Sequence, residues 1–240
     1  MNPQLVELLQ KFPGIGPKQA TRFVYFLMRS NNIYKESLIK EINNLKLQAK
    51  ECPSCYRYHN YVHHDNMHKN ECSICIDDSR TDNMLMIVEK ELDVDAIERT
   101  GGYRGKYFVL GGLLPFLADK PTELIKIREL ARTVRNKISK LDMEVNKKEN
   151  INENNKITLP NEGQEDFKDI KEPGNKIEII YALPVTDEGD HTIEYLNQTL
   201  SQVVGIDKAK ISILARGLSS GLDIEYVDRD TFFEAYKRRV

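Results

Sequence analysis

All four cysteines of the chain fall in one stretch, Cys52-Pro-Ser-Cys55, then sixteen residues, then Cys72-Ser-Ile-Cys75. Each hook offers two thiolates from one tight turn, and two such turns facing each other complete a tetrahedron around a zinc ion. Two chance turns, or a redox pair, are the alternative. Four histidines, His59, His63, His64 and His68, lie between the hooks. Because four thiolates already fill a structural site, these read as exposed loop residues. A closed four-thiolate site leaves no position for water, so no catalysis is assigned to it.

A second group that could carry chemistry is acidic. Glu89 ends the apolar run Met84–Val88, with Asp93 four residues on, and Asp187-Glu188-Gly189-Asp190 follows Pro184. Carboxylates at the C-terminal edges of neighbouring parallel strands can share a hard divalent cation, usually Mg2+. Acids at helix N-termini also simply favour the helix dipole. On the residues alone both readings stand.

The third group is basic. In Phe12-Pro-Gly-Ile-Gly-Pro-Lys18, Gly14 and Gly16 flank one apolar residue and allow a tight turn without a Cβ in the way. Pro17 suits the first turn of a helix, whose unpaired N–H groups can meet a phosphate oxygen. Lys18, Arg22, Tyr25 and Arg29 follow at helical intervals as a stripe opposite the apolar Ala20, Phe23, Val24 and Leu27. Helix, Gly-x-Gly turn and basic helix make a helix-hairpin-helix, which grips a DNA backbone without reading bases. An ordinary two-helix turn with a solvated face fits the same residues.

The elements that must position these groups follow from periodicity. Helices are expected over Ala20–Leu27 and Ile33–Ala49, the latter with Leu38, Ile42, Leu45 and Ala49 on one face. Beyond the cysteines, short apolar runs alternate with helices. The strands are Met84–Val88, Tyr107–Leu110, Ile177–Ala182 and Ile211–Leu214. The helices are Leu92–Arg99, one capped by Thr122 and carrying Leu124, Ile127, Ala131, Val134 and Ile138, and Asp187–Val204. This alternation implies a parallel sheet covered on both faces. From Leu141 to Lys176 the chain is rich in Asn, Glu and Lys and is expected to be a loose insertion, inert or partner-binding.

With 40% hydrophobic and 30% charged residues, no run is apolar enough to cross a membrane. Met1–Gln10 reads as a short amphipathic helix without the layout of a signal peptide, so a reducing, cytoplasmic location is expected, which favours metal over disulfides. The net charge of −2 is unevenly spread: Met1–Lys50 has eight Lys/Arg against three Asp/Glu.

The order of these pieces resembles the bacterial RecR recombination-mediator family. The stretches that carry the resemblance are Pro13-Gly-Ile-Gly-Pro-Lys18, the four cysteines, Ile87-Val-Glu89, Asp95-Ala-Ile-Glu98-Arg-Thr-Gly101, Tyr103–Gly112, Ala215-Arg-Gly217 and Glu225-Tyr-Val-Asp228. The resemblance implies an α+β multidomain fold. Its parts are a helix-hairpin-helix over 1–50, a zinc motif over 51–78, an α/β Toprim domain with a parallel sheet over 80–228 (including the 141–176 insertion), and a C-terminal helix over 229–240. It further implies a non-enzymatic DNA-repair protein that forms a ring-shaped homo-oligomer, such as a tetramer. With RecO and RecF partners it would help load RecA at single-stranded gaps. Carried over by position, Lys18 and Arg22 contact DNA, and Glu89 with Glu188-Gly189-Asp190 falls on the patch that meets RecO. Asp93 is grouped with that patch.

Two departures matter. Toprim enzymes carry an Asp-x-Asp pair where this chain has Pro184 and Thr186, so a magnesium site here would bind weakly. The family's Gly-Leu-Pro-Val-Gly-Gly stretch is Gly217-Leu-Ser-Ser-Gly221-Leu, which weakens nucleotide binding there. The rival readings are a magnesium-dependent nuclease, primase or topoisomerase-like enzyme using Glu89, Asp93, Asp187, Glu188 and Asp190, and a thiol redox sensor.

Overall fold

The computed structural model describes residues 3–60, 70–117, 121–151, 176–203, 208–214 and 229–237. The chain forms two compact units, Met1–Lys50 and Glu51–Val240.

The first unit holds α1 (Pro3–Gln10), α2 (Pro17–Arg29) and α3 (Asn32–Gln48). Gly14 sits at φ +72°, a conformation that only glycine adopts cheaply, and Gly16 is the extended residue before α2. Pro17 occupies the first turn of α2, and the Asn31 side chain caps α3 by accepting from the Tyr34 N–H at 2.7 Å. Only Ala20 and Val24 of the expected α2 face are fully buried. Phe23 is 36% exposed, and Leu38, Ile42 and Leu45 of α3 are 37%, 55% and 58% exposed. Three short helices enclose too little volume to cover both apolar stripes.

Across the boundary of the units runs β1 (Ala49–Glu51), paired with β2 (Tyr58–Asn60) in a two-stranded sheet, and α4 (Ser73–Ile76) follows. The centre of the second unit is a four-stranded sheet of β3 (Thr81–Val88), β4 (Gly105–Val109), β5 (Ile177–Ala182) and β6 (Ala209–Ile213). The strand order is β4-β3-β5-β6 and every pair is parallel. Strand residues alternate between two cores, as a period of two demands. Met84, Met86, Val88, Tyr107, Val109, Ile180 and Ala182 face one layer. There they meet Val94 and Ile97 of α5 (Glu91–Thr100), and Phe232 and Tyr236 of α9 (Arg229–Lys237). Leu85, Ile87, Phe108, Ile179 and Tyr181 face the other layer. It contains Leu130 and Val134 of α7 (Ile127–Ile151), and Ile193, Leu196 and Leu200 of α8 (Asp187–Val203). The expected parallel sheet, covered on both faces, is present.

Two expectations differ. The helix expected from Thr122 is split into a short α6 (Pro121–Leu124) and α7, because the Lys126 N–H turns to donate to the Leu110 carbonyl at 3.1 Å. At its other end α7 continues to Ile151, carrying helix into the segment read as a loose insertion from Leu141. Residues 152–175 of that segment lie outside the described residues, as do His63, His64, His68 and the stretches 215–217, 217–222 and 225–228. Among the described residues no helix is long and apolar enough to cross a membrane.

Candidate functional site

The two cysteine hooks converge. The four Sγ atoms all lie within 4.8 Å of one another, and Cys55 Sγ and Cys72 Sγ are 3.6 Å apart. Four sulfurs bound to one ion at Zn–S distances would sit about 3.8 Å apart. The Cys72 N–H donates to Cys52 Sγ at 3.4 Å, and such a donor favours the thiolate form. Hydrogen bonds among the thiols, that from Cys55 foremost, hold Cys52 far below its ordinary pKa. The same contacts, those with Cys52 foremost, push Cys55 and Cys75 up. Four sulfurs brought this close suit a shared cation, and the residues fit a metal ion. His59 Nε2 instead bonds the Asn70 carbonyl oxygen at 2.9 Å, bridging the two ends of the loop between the hooks.

The hooks are built into the α/β core. Cys52, Cys55 and Cys72 are buried in the layer that includes Met84, Tyr107 and Val109. Ser54 donates to the Glu71 carboxylate, tying one hook to the other. The Cys55 carbonyl accepts from the Val109 N–H at 2.9 Å, and so covers the outer side of edge strand β4. Buried Lys106 of β4 donates to the carbonyls of Ile74, Cys75 and Asp77 at 3.2, 3.1 and 2.8 Å, capping the end of α4. Lys106 is a structural residue that the sequence reading missed.

In the first unit, Lys18, Arg22 and Arg29 are all exposed on α2, and Gly14 and Gly16 are exposed in the turn before it. Ala20 and Val24 pack inward, so the basic stripe faces solvent as its spacing required.

The acidic residues meet at one sheet edge through topology. Val88 lies in register with both Val109 and Ala182, so the segments after β3, β4 and β5 emerge side by side. Glu89 is half-buried there, and Glu188 and Asp190 are exposed on the first turn of α8. Asp93 departs from the expected patch. It is buried, and its carboxylate accepts from the Lys90 N–H at 3.0 Å as part of the α5 cap, so no partner reaches it. Thr186, standing where a metal carboxylate would be, is the cap of α8: its hydroxyl accepts from the Gly189 N–H at 3.1 Å. Among the described residues, only the four cysteines bring three or more candidate donors to a common point.

Beside the acids lies an apolar prong that the sequence reading passed over, although Leu113-Leu-Pro-Phe-Leu117 after two glycines was a visible signal. Thr192 accepts from the Leu114 N–H at 2.9 Å and donates to the Glu188 carbonyl at 2.7 Å, fastening this loop to α8. The Phe116 ring stacks on His191 at 5.1 Å, with Phe116 60% and Leu117 94% exposed.

The sequence is similar to those of known proteins. A family model described as "RecR, helix-hairpin-helix" matches residues 3–45, and one described as "Toprim domain" matches residues 83–215. The protein named "Recombination protein RecR" from Bdellovibrio bacteriovorus is 34% identical over 238 residues, 99% of this chain and 95% of that one. Proteins of the same name from Roseiflexus castenholzii and Dehalococcoides mccartyi are 31% and 32% identical, each over 98% of this chain and over 91% and 92% of their own lengths. With both of its units matched and this identity along nearly its whole length, the chain belongs to the RecR family.

Proposed function

We propose that the protein is a non-enzymatic, DNA-binding recombination mediator in recombinational DNA repair. It acts in the cytoplasm with RecO- and RecF-type partners to help load RecA recombinase at single-stranded gaps. The observation that carries this reading is a pairing. An exposed basic stripe follows a glycine turn, and the Toprim sheet edge of the same chain has its metal-position residue, Thr186, engaged as a helix cap. Lys18, Arg22 and Arg29 supply phosphate contacts while Gly14 and Gly16 let the backbone approach, which gives binding indifferent to sequence.

The four cysteines hold one structural Zn2+, whose role is to fix Lys106, α4 and the β4 edge rather than to react. Glu89, Glu188 and Asp190, with Phe116 and Leu117 alongside, offer an acidic rim around an apolar anchor, which suits a basic segment of a RecO-type partner. The uncovered apolar residues of α3 supply a self-association face for a ring such as a tetramer.

The test is assembly of RecA filaments on gapped DNA coated with single-strand-binding protein. Addition of this protein with its RecO-type partner is expected to shorten the lag. Lys18→Ala/Arg22→Ala is expected to restore the lag, and equal acceleration by that variant would contradict the reading.

A further inference from the structure

The basic hairpin is not the only face of the molecule with an unbalanced charge. Between Ile127 and Lys140, α7 carries Arg128, Arg132, Arg135, Lys137 and Lys140 against the single acid Glu129, in a chain whose net charge is −2. Arg128, Arg132 and Arg135 follow at i, i+4 and i+7, so they line one stripe, and all three are exposed. Ile127, Leu130 and Val134 point the other way into the core. Asn136 and Ser139 add polar groups beside the stripe.

We propose that this face of α7 is a second nucleic-acid contact, following the sugar–phosphate backbone through Arg128, Arg132 and Arg135. The proposal rests on the DNA-binding reading above and extends it from the hairpin unit to the α/β unit. Three observations carry it. First, the stripe spans about 10 Å at the helical rise, about three phosphate-to-phosphate steps of one strand along the duplex axis. Second, Arg132 is pre-positioned, because its guanidinium donates to the Tyr56 hydroxyl at 2.8 Å. Third, the stripe borders a groove of about 650 Å³ whose lining includes Ser54, Tyr56, Arg132, Asn136 and Lys140.

Two of the three acids in that groove are already engaged. Glu71 accepts from Ser54, and Asp82 lies 3.8 Å from the Lys137 amine. Asp78 is the third acid in the wall. The stripe itself offers no exposed apolar side chain, whereas the buried centre of a protein interface is apolar and poor in charge. That contrast favours a polyanion over a protein.

The experiment is anisotropy of a labelled mixed-sequence duplex with the full-length protein across a chloride series. The variants are Arg128→Gln/Arg135→Gln, the triple including Arg132→Gln, and the triple Arg→Lys. Each lost phosphate contact makes the log–log salt slope shallower by about one unit. The double variant, which leaves the Arg132–Tyr56 contact intact, is expected to lose about two units and the triple about three, with weaker binding on every sequence. The Lys triple is expected to retain both affinity and slope.

Folding is checked by circular dichroism, and if the triple is not folded the double variant decides alone. Unchanged affinity and slope in a folded glutamine variant, with Lys18→Ala/Arg22→Ala still defective, would overturn the α7 contact and leave the hairpin reading standing. Absence of duplex binding by the unaltered protein would overturn both.

Discussion

The ammonium of Lys106 donates to the carbonyl oxygen of Cys75 at 3.1 Å, so a buried strand lysine is bonded to the backbone of a thiol-bearing residue. The same nitrogen serves Ile74 and Asp77, and the strand that carries Lys106 receives the Cys55 carbonyl on its outer side. The four-cysteine motif and the edge of the sheet are therefore tied together by direct hydrogen bonds.

Lys106→Met keeps the length of the side chain and removes the charged donor from three carbonyls. A loss of about 2–4 kcal/mol is expected, since bonds to charged groups are among the stronger ones and the carbonyls are left without that partner. Denaturant unfolding of the two proteins measures it, and an unchanged midpoint would show that the carbonyls find water instead.

The metal should be countable and its removal local at first. Elemental analysis is expected to give one zinc per chain and close to none for Cys72→Ser. Chelation is expected to speed hydrogen exchange at the Val109 amide, which donates to Cys55, before it affects Ile180 in a central strand. Protection at Val109 that survives chelation would separate the metal from the sheet edge.

Buried tyrosines set the alkaline limit. Burial pushes the Tyr181 hydroxyl above its ordinary pKa, and burial likewise raises Tyr103 and Tyr107. A raised folded pKa gives stability that is whole below the unfolded value, about 10, and is lost as pH climbs towards the folded one. Stability should therefore fall above pH about 10 by up to about 1.4 kcal/mol per pH unit for each such tyrosine. In Tyr181→Phe that limb should be shallower by one proton. An identical limb in the variant would mean that Tyr181 ionises freely in the folded state.

The turn before α8 depends on Gly189. A Cβ there would run into the Pro184 carbonyl oxygen, and both ends of the turn are tied: the Thr186 N–H donates to Pro184 and the Gly189 N–H to the Thr186 hydroxyl. Gly189→Ala should cost about 1–3 kcal/mol and weaken binding of the RecO-type partner, because Glu188 and Asp190 ride on that turn. A stable variant with normal partner binding would show that the turn moves aside without loss.

Much of this architecture could be read from the residues. The alternation in Met84–Val88 and Ile177–Ala182 is strong because each strand has both faces buried, and the cysteine spacing leaves a single closed site. Most of what escaped depended on contacts distant in sequence. No local pattern tells that Lys106 reaches α4 or that Lys126 interrupts a helix by bonding to Leu110, whereas the Asp93 cap of α5, three residues from Lys90, was a local signal passed over. The apolar spacing of α3 correctly signalled a helix. Its exposure was not legible, because periodicity reports an apolar face and not what covers it.

On the function proposed above, the protein would grip DNA and do no chemistry on it. The most direct test of that reading is incubation of the full-length protein with a gapped plasmid and Mg2+ across a salt series, with the DNA recovered and sized. Salt-sensitive binding that Lys18→Ala/Arg22→Ala removes is expected, with every strand recovered intact. Strand cleavage or relaxation that disappears in Glu89→Gln would contradict it.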